Sequence, residues 1–308
     1  MSGNWGPATA YLEKISFSNK QKFKILTLTG ATGYLGSNLI PFLLDNYGIG
    51  ELRALGRNEW KLEQLADTYG ITPMICDIRD ESRVNSCLEN SDVVIHAAAL
   101  KRVTMGALNP MEIIKTNVIG SMNVLHACIN HNVKRLIAIS SDKAVEPLNL
   151  YGITKACAER MFYERSKMKD CPVIIKIVRY GNLISSRGAF IPRAIKDIKI
   201  GKQINITDMD MTRFIFTKQE ALNLIKQAIE DETDNIVILP DFNTVRKARL
   251  GDMIQWLKEY YNSDSKINII GRFSGEKLHE SLAIGITSEK VNVAKEEFLA
   301  ILKEEKLI

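Results

Sequence analysis

Residues 29–36, Thr-Gly-Ala-Thr-Gly-Tyr-Leu-Gly, follow the first apolar run of the chain and precede a segment of helical period. A GxxGxxG turn between strand and helix restricts the fold more than any other feature of the sequence. Glycine tolerates the tight turn and lets backbone N–H groups approach a pyrophosphate, while the helix N-terminus adds partial positive charge. Taken alone, the motif also fits a strand–helix turn that binds nothing. Its surroundings favour dinucleotide binding. Short β-rich runs at Phe23–Thr29, Leu52–Leu55, Thr72–Cys76, Val93–Ala97, Arg135–Ser140 and Ile174–Arg179 alternate with amphipathic segments such as Leu62–Tyr69 and Met111–Ile129. Continuous apolar strands alternating with helices predict a parallel sheet covered on both faces, with right-handed crossovers.

After Gly181 the rhythm breaks. Helices are expected at Ala189–Ile198, Gln219–Ile229, Asp252–Tyr261 and Glu289–Lys306, and strands near Ile204–Thr207, Phe214–Thr217, Asn235–Leu239 and Lys266–Ile270. The expected architecture is α/β: a Rossmann-type doubly wound parallel sheet with a smaller C-terminal α/β substrate-binding lid. In boundaries, this is an N-terminal arm over 1–22, a nucleotide-binding core over 23–182 with a return segment at 214–240, and a lid from 183–213 and 241–308. A net charge of +5, from 41 Lys and Arg against 36 Asp and Glu, suits an anionic small ligand and is too weak to argue for nucleic acid. Five scattered cysteines without a CxxC pair speak against a disulfide framework or a zinc site, so no metal is expected. No apolar run reaches bilayer length, and the opening stretch lacks the layout of a secretory signal. A soluble, cytoplasmic protein without a membrane partner is the expectation.

Within the core, Gly30, Thr32, Gly33, Tyr34, Leu35 and Gly36 form the phosphate loop. At the end of the second strand an NAD-specific site would present an acid to the ribose; here Gly56-Arg57-Asn58 stands there, with Lys61 one turn on. A guanidinium suits a 2′-phosphate and favours NADP, although a solvated surface arginine reads the same. Asp77, with Ile78 beside it, either accepts from an adenine amino group or caps a helix over Asp80–Leu88. Ala97, Ala98 and Ala99 let a nicotinamide ribose lie close to the backbone, or simply pack. Tyr151 and Lys155, four apart at the start of a helix, share a face. An ammonium near the phenol favours the phenolate, so Tyr151 is a candidate general base, with Ser141 placed to bond it. His96, in an apolar strand, reads as a core residue.

YxxxK after the fifth strand of a dinucleotide fold resembles the short-chain dehydrogenase/reductase superfamily, in its extended, sugar-nucleotide branch. Residues 140–155, SSDKAVEPLNLYGITK, are similar to those of the inverting UDP-N-acetylglucosamine 4,6-dehydratases of pseudaminic acid biosynthesis. So are the blocks at His96–Lys101, Lys115–Asn117, Arg179–Asn182, Ile206–Asp208, Met211–Phe214 and Gly275–Glu280, in order along nearly the whole chain after the arm. Ser141, where Thr is familiar, and Tyr34-Leu35 depart from the pattern.

The resemblance implies a redox-neutral dehydration of UDP-N-acetylglucosamine. Tyr151 takes the C4 hydroxyl proton while hydride passes from C4 to NADP. The new ketone acidifies the C5 hydrogen, a base removes it as water leaves across C5–C6, hydride returns to C6, and C5 is reprotonated. The product is UDP-2-acetamido-2,6-dideoxy-β-L-arabino-hex-4-ulose. By similarity Lys143 is the C5 base and Asp142 the C6 acid; retaining relatives carry Asp-Glu there. The adjacent pair is workable only if its side chains flank the sugar differently; neighbours at an extended strand end point to opposite sides, a turn could redirect them, and Lys143 as base needs a depressed pKa. An exposed loop ion pair is the plain reading of the same two residues. Lys101, Asn182, Arg187, Arg213 and Glu276 are the substrate-binding candidates, Arg213 foremost because a fork-shaped guanidinium matches phosphate. Asn117 either holds a water beside the active-site lysine or is a buried, satisfied amide. Glu276, Lys277 and His279 shape the lid. A homo-oligomer, dimer or hexamer, is implied through the helices at Met111–Ile129 and Tyr151–Lys167. The rival readings are a UDP-sugar 4-epimerase, a dehydratase releasing an unsaturated sugar, and a silent NADP-sensing scaffold.

Overall fold

The computed structural model describes residues 21–308. Most of the expected arm lies outside the described residues, and Lys22 already belongs to the first strand. In chain order, β1 (Lys22–Thr29) leads to α1 (Tyr34–Asn46), β2 (Gly48–Gly56) to α2 (Glu59–Tyr69), and β3 (Thr72–Ile75) to α3 (Glu81–Leu88). After β4 (Val93–His96) come α4 (Val103–Leu108), α5 (Pro110–Ile114), a π-helical turn (Lys115–Ile119) and α6 (Gly120–Asn130). β5 (Arg135–Ile139) runs into a 3-10 turn (Asp142–Ala144) and α7 (Leu150–Ser166), followed by β6 (Ile174–Val178) and β7 (Asn182–Leu183). The remainder is α8 (Phe190–Lys199), β8 (Ile204–Ile206), β9 (Thr212–Phe216), α9 (Lys218–Glu230), β10 (Val237–Ile238), β11 (Arg246–Arg249), α10 (Leu250–Tyr260), β12 (Ile267–Ile269), the β13 (Ser281–Ala283) and β14 (Ile286–Thr287) hairpin, and α11 (Lys295–Glu304).

Seven strands make the central sheet in the order β3-β2-β1-β4-β5-β6-β10. Every pair in it is parallel. The order reverses between β1 and β4, where a doubly wound sheet opens its ligand crevice beyond the strand carboxyl ends. β4 and β5 are buried along their whole length, as strands covered on both faces must be. Alternate residues serve opposite faces: Ile137 and Ile139 join one apolar cluster, Leu136 and Ala138 the other. A third cluster, with Ile191, Ile195, Phe298 and Leu302, fills the C-terminal part.

Of residues 214–240, α9 and β10 return to the central sheet, whereas β9 sits between β7 and β11 in a separate three-stranded sheet. Two buried cations fix the return. Arg135 Nη1 donates to the carbonyls of Ala228 and Asp231 at the end of α9, and Lys176 Nζ donates to Asp231, Thr233 and Asn235. Cations at a helix C-terminus satisfy its orphan carbonyls and oppose its dipole.

Two expected helices differ in form. The stretch 111–129 is interrupted by the π-helical turn, and such single turns sit preferentially at functional sites. The C-terminal helix begins at Lys295 rather than Glu289. Asn292 and Val293 donate their backbone N–H groups to Lys247, and the Asn292 amide bonds Lys247 and Val245, so this stretch is committed to the β11 edge. Among the described residues no helix is long and apolar enough to cross a membrane.

Candidate active site

The glycine loop joins β1 to α1 under close steric control. Gly30 has φ +71°, and a Cβ there would lie 2.7 Å from Ala98 N and 2.8 Å from the Ala97 carbonyl carbon. A Cβ at Gly36 would lie 2.3 Å from Gly30 O. The loop therefore touches the Ala97–Ala98 backbone at the switch point, an approach that the missing side chain of Gly30 permits. α1 starts with Gly33 as N-cap, no side-chain cap bond and no acid in its first turn. An uncapped N-terminus opening onto a crevice is a built anion cradle. The Tyr34 hydroxyl bonds Ser185, which in turn donates to Glu305, the C-cap of α11.

Arg57 is exposed at the end of β2, with Nη1 3.8 Å from Asp77 Oδ2. Asn58 caps α2 through Lys61 N. Asp77 is not a cap: Asp80 caps α3 through Arg83 N. Instead Arg79 grips both Asp77 oxygens, and its guanidinium and the amide N–H hold the carboxyl below its usual range, against the cost of burial. Ile78 is buried against Gly120, where a Cβ would lie 2.6 Å from Ile78 Cδ1.

The second half of the crevice is built on the end of β5. Ser141 caps the 3-10 turn through Lys143 N. That turn defeats the alternation of an extended strand end. The side chains of Asp142 and Lys143 converge rather than diverge, with Nζ 3.1 Å from Oδ1 and 3.3 Å from Oδ2. Nor is the pair an exposed loop contact: Asp142 is fully buried. Ser141 Oγ donates to Asp142 Oδ1 at 2.7 Å, and Lys143 Nζ also donates to Asn182 Oδ1 at 2.9 Å. A glycine brings α7 up to this turn; a Cβ on Gly152 would lie 2.3 Å from Lys143 O.

Glu280, just ahead of β13, is a further buried neighbour, with Oε1 3.4 Å from Lys143 Nζ and 3.9 Å from Arg213 Nε. Burial raises the Asp142 pKa against the pull of Lys143. For Lys143 burial works toward the neutral amine, but the carboxylates of Asp142 and Glu280 outweigh it and raise the pKa. The expected depression of Lys143 is thus reversed. It falls instead on Lys155, pushed down to about 8 by burial with only Glu159 opposing. Lys155 Nζ donates to Ile139 O at 2.6 Å. Tyr151 is buried and its pKa is raised by burial; the charge that lowers it is that of Lys143, joined by a hydrogen bond with Ser141.

Asn117, in the π-helical turn, is a satisfied amide: Leu100 N donates to Oδ1, and Nδ2 donates to Leu100 O and Thr154 Oγ1. His96 is a core residue between Thr29 Oγ1 and Ser121 Oγ. Lys101 approaches Ser186 Oγ at 3.3 Å, its pKa lowered by burial and by Arg102 and Lys143. Arg213 is buried; Nη1 donates to the carbonyls of Thr212, Lys277 and Leu278, and Nη2 lies 3.7 Å from Glu276. Arg187 is exposed on the loop before α8. Lys277 Nζ donates to Val145 O and His279 Nδ1 meets Thr212 Oγ1, so both tie the 275–280 stretch down onto the 3-10 turn and β9. Glu280 escapes sequence reasoning as a site residue. Its one signal is its place in the Gly275–Glu280 block, where the more conspicuous His279 is structural.

The sequence pattern of the polysaccharide biosynthesis protein family matches residues 26–302. The chain is 34% identical to the inverting UDP-N-acetylglucosamine 4,6-dehydratase of Campylobacter jejuni subsp. jejuni serotype O:2, over 83% of this chain and 76% of that one. It is equally 34% identical to the UDP-glucose 4-epimerase of Rickettsia massiliae, over 87% and 79%. The X-ray structure of Pen from Bacillus thuringiensis superposes with a TM-score of 0.86 at 27% identity, covering 94% of this chain and 99% of that one. With the doubly wound sheet, the glycine cradle and the Tyr151–Lys155 helix in place, the chain belongs to the polysaccharide biosynthesis protein family, within the extended short-chain dehydrogenase/reductase superfamily.

Proposed function

We propose that the protein is an NADP-dependent UDP-N-acetylglucosamine 4,6-dehydratase that inverts C5. The observation that carries this reading is the Asp142–Lys143 pair, 3.1 Å apart in the turn that leads to Tyr151, with its carboxylate fully buried. A 4-epimerase needs the redox tyrosine but no second acid and base.

The cradle at Gly30, Gly33 and Gly36, with its open helix N-terminus, fits a dinucleotide pyrophosphate, and a side chain at Gly30 would collide with the Ala97–Ala98 backbone. Thr32, Leu35 and Ala97–Ala99 line the same approach, and exposed Arg57 with Lys61 suits a 2′-phosphate. A dinucleotide held there by the glycine cradle would supply a hydride acceptor for C4 and a hydride donor for C6.

The chain's own residues handle protons. Tyr151 Oη takes the C4 hydroxyl proton, with Ser141 and the Lys143 charge favouring its phenolate. Lys143 reaches its basic form without losing a proton to solvent. Transfer of one proton from Nζ to Asp142 Oδ1 produces an amine and a carboxylic acid together, at no change in the charge of the pair. Both are then the forms that the elimination requires. Lys143 takes the C5 proton, the C5–H electron pair becomes the C5–C6 π bond, the C6–O bond breaks, and the Asp142 proton leaves with the oxygen as water. Asn182, Lys101 and the loop carrying Arg187 offer donors for the UDP-sugar. Arg213 and Glu276 would act from behind, as supports of that surface, because Arg213 already serves three carbonyls.

Exposed Met105, Leu108, Met111, Ile119, Ile153 and Tyr163 leave apolar surface on α4 to α7, which supports a homo-oligomer in a soluble, cytoplasmic protein.

Incubation with UDP-N-acetylglucosamine in deuterated water tests the reading by NMR. Deuterium is expected at C5, and at C6 the hydrogen that began on C4. Formation of UDP-N-acetylgalactosamine without a 4-keto-6-deoxy sugar would establish the epimerase, the second reading, which relatives of equal identity support by name. Cofactor released on denaturation should carry the 2′-phosphate; recovery of NAD alone would overturn the assignment of Arg57.

A further inference from the structure

The Glu280 carboxylate is 3% exposed, and its Oε2 is buried without a hydrogen-bond partner. Burying a carboxylate is costly, and a purely structural ion pair would satisfy both oxygens. Its charged contacts all fall on Oε1 and are long, at 3.4 Å to Lys143 and 3.9 Å to Arg213, and Arg213 Nη1 is given over to carbonyls. Yet the backbone around it is firmly held. Glu280 N donates to Ser288 Oγ, Ser288 N returns to Glu280 O, and the Ser288 hydroxyl donates to Thr212 O. The fold therefore fixes an incompletely satisfied anion beside Lys143.

We propose that Glu280 is a positioning residue for Lys143, the carboxylate that holds the Lys143 ammonium during the interval when Asp142 carries a proton and offers no charge. This rests on the reading of Lys143 as the C5 base. When the amine takes the C5 proton, Asp142 is still the neutral acid awaiting the C6 oxygen. The groups facing Lys143 are then Tyr151 from α7, Asn182 from β7, Arg213 from β9, Lys101 from the loop after β4, and Glu280. Of the carboxylates at Lys143, Asp142 and Glu280, only Glu280 is then an anion. Its charge also makes Lys143 the stronger base, as two carboxylates near an ammonium must.

The test is Glu280→Gln in the full-length holoenzyme, alongside Glu280→Asp. Dehydration turnover and deuterium wash-in at C5 are expected to fall about 10- to 100-fold in Glu280→Gln. The limb of the kcat/KM profile that reports the base moves to lower pH by about one unit, because the ammonium has lost a partner. Cofactor reduction in a single turnover, which reports C4 oxidation, stays within about twofold. Glu280→Asp restores part of both the rate and the limb. Wild-type C5 exchange and an unmoved limb in Glu280→Gln would overturn the proposal. So would an equal loss of C4 oxidation and C5 exchange, the mark of a merely structural role. If Glu280→Gln does not fold, the limb of Glu280→Asp decides: a limb fixed at the wild-type pH overturns the proposal. Absence of any 4-keto-6-deoxy product from the wild type is a separate failure, that of the dehydratase reading, and the proposal falls with it.

Discussion

Two lysines stand twelve residues apart, one half-buried in the turn after β5 and one buried in the first turns of α7, and their environments send them in opposite directions. Lys143 lies among Asp142, Glu280 and Asn182, and the two carboxylates keep it charged in spite of burial. Lys155 has a carbonyl as its hydrogen-bond partner and Glu159 as its nearest compensating charge, so burial prevails and its pKa falls to about 8. Burial alone would lower both. The difference teaches that the site assigns roles by counting carboxylates. The lysine with two can pass a proton to one of them and recover a proton from substrate while the other balances it. The lysine with none in hydrogen-bond contact is a fixed donor.

Breaking the first environment should have the largest effect. Lys143→Met is expected to abolish dehydration, by about 10³-fold or more, while single-turnover cofactor reduction, which loses only the Lys143 charge that favours the Tyr151 phenolate, slows by about 10-fold. Equal loss of both steps, or a fully active variant, would erase the distinction between the two lysines, and the active variant would point to epimerisation. Lys155→Met tests the second environment. Here C4 oxidation is expected to slow by roughly 100-fold, and an activity step near pH 8 to disappear, while C5 exchange of the preformed 4-keto product continues. Loss of C5 exchange in the same proportion would show that the two lysines act as one unit.

The legibility of this site in the sequence follows the same division. Gly30, Gly33 and Gly36 act through backbone within eight residues, and so do the strands β1 to β6, whose continuous apolar runs are local. Tyr151 and Lys155 share a helix face by spacing alone. Asp142 and Lys143 were legible as a pair that a turn could redirect, but the outcome, convergence on one another, was not. It depends on a 3-10 turn capped by Ser141 and on the missing side chain of Gly152. Glu280 was not legible at all as a partner, because nothing at positions 275–288 reveals that a hairpin will press it under residue 143. Arg213 shows the converse: a residue type suited to phosphate that the fold surrounds with carbonyls. Motif and local period report backbone sites well; a cluster assembled from β5, β9 and the segment before β13 exists only in the tertiary structure.

The smallest expected effect is also the sharpest probe of the uncompensated Lys155 charge. His96 is neutral in the fold, its pKa lowered to about 3 by burial first and by Lys155 second. The unfolded chain binds that proton below about pH 6.5, so the fold loses stability as the pH drops from there toward 3, at about 1.4 kcal/mol per unit. Removing the ammonium in Lys155→Met should raise the folded pKa of His96 and shorten that window. The stability lost between pH 7 and pH 4, measured by urea unfolding, is then expected to shrink by about 1 kcal/mol. In a His96→Asn background the same substitution should leave the pH slope unchanged, because the titrating group is gone. A double-mutant cycle therefore isolates the coupling from any general effect of deleting a buried cation. A cycle that closes at zero would mean that the Lys155 charge is neutralised within the fold, and the contrast with Lys143 would reduce to hydrogen bonding alone.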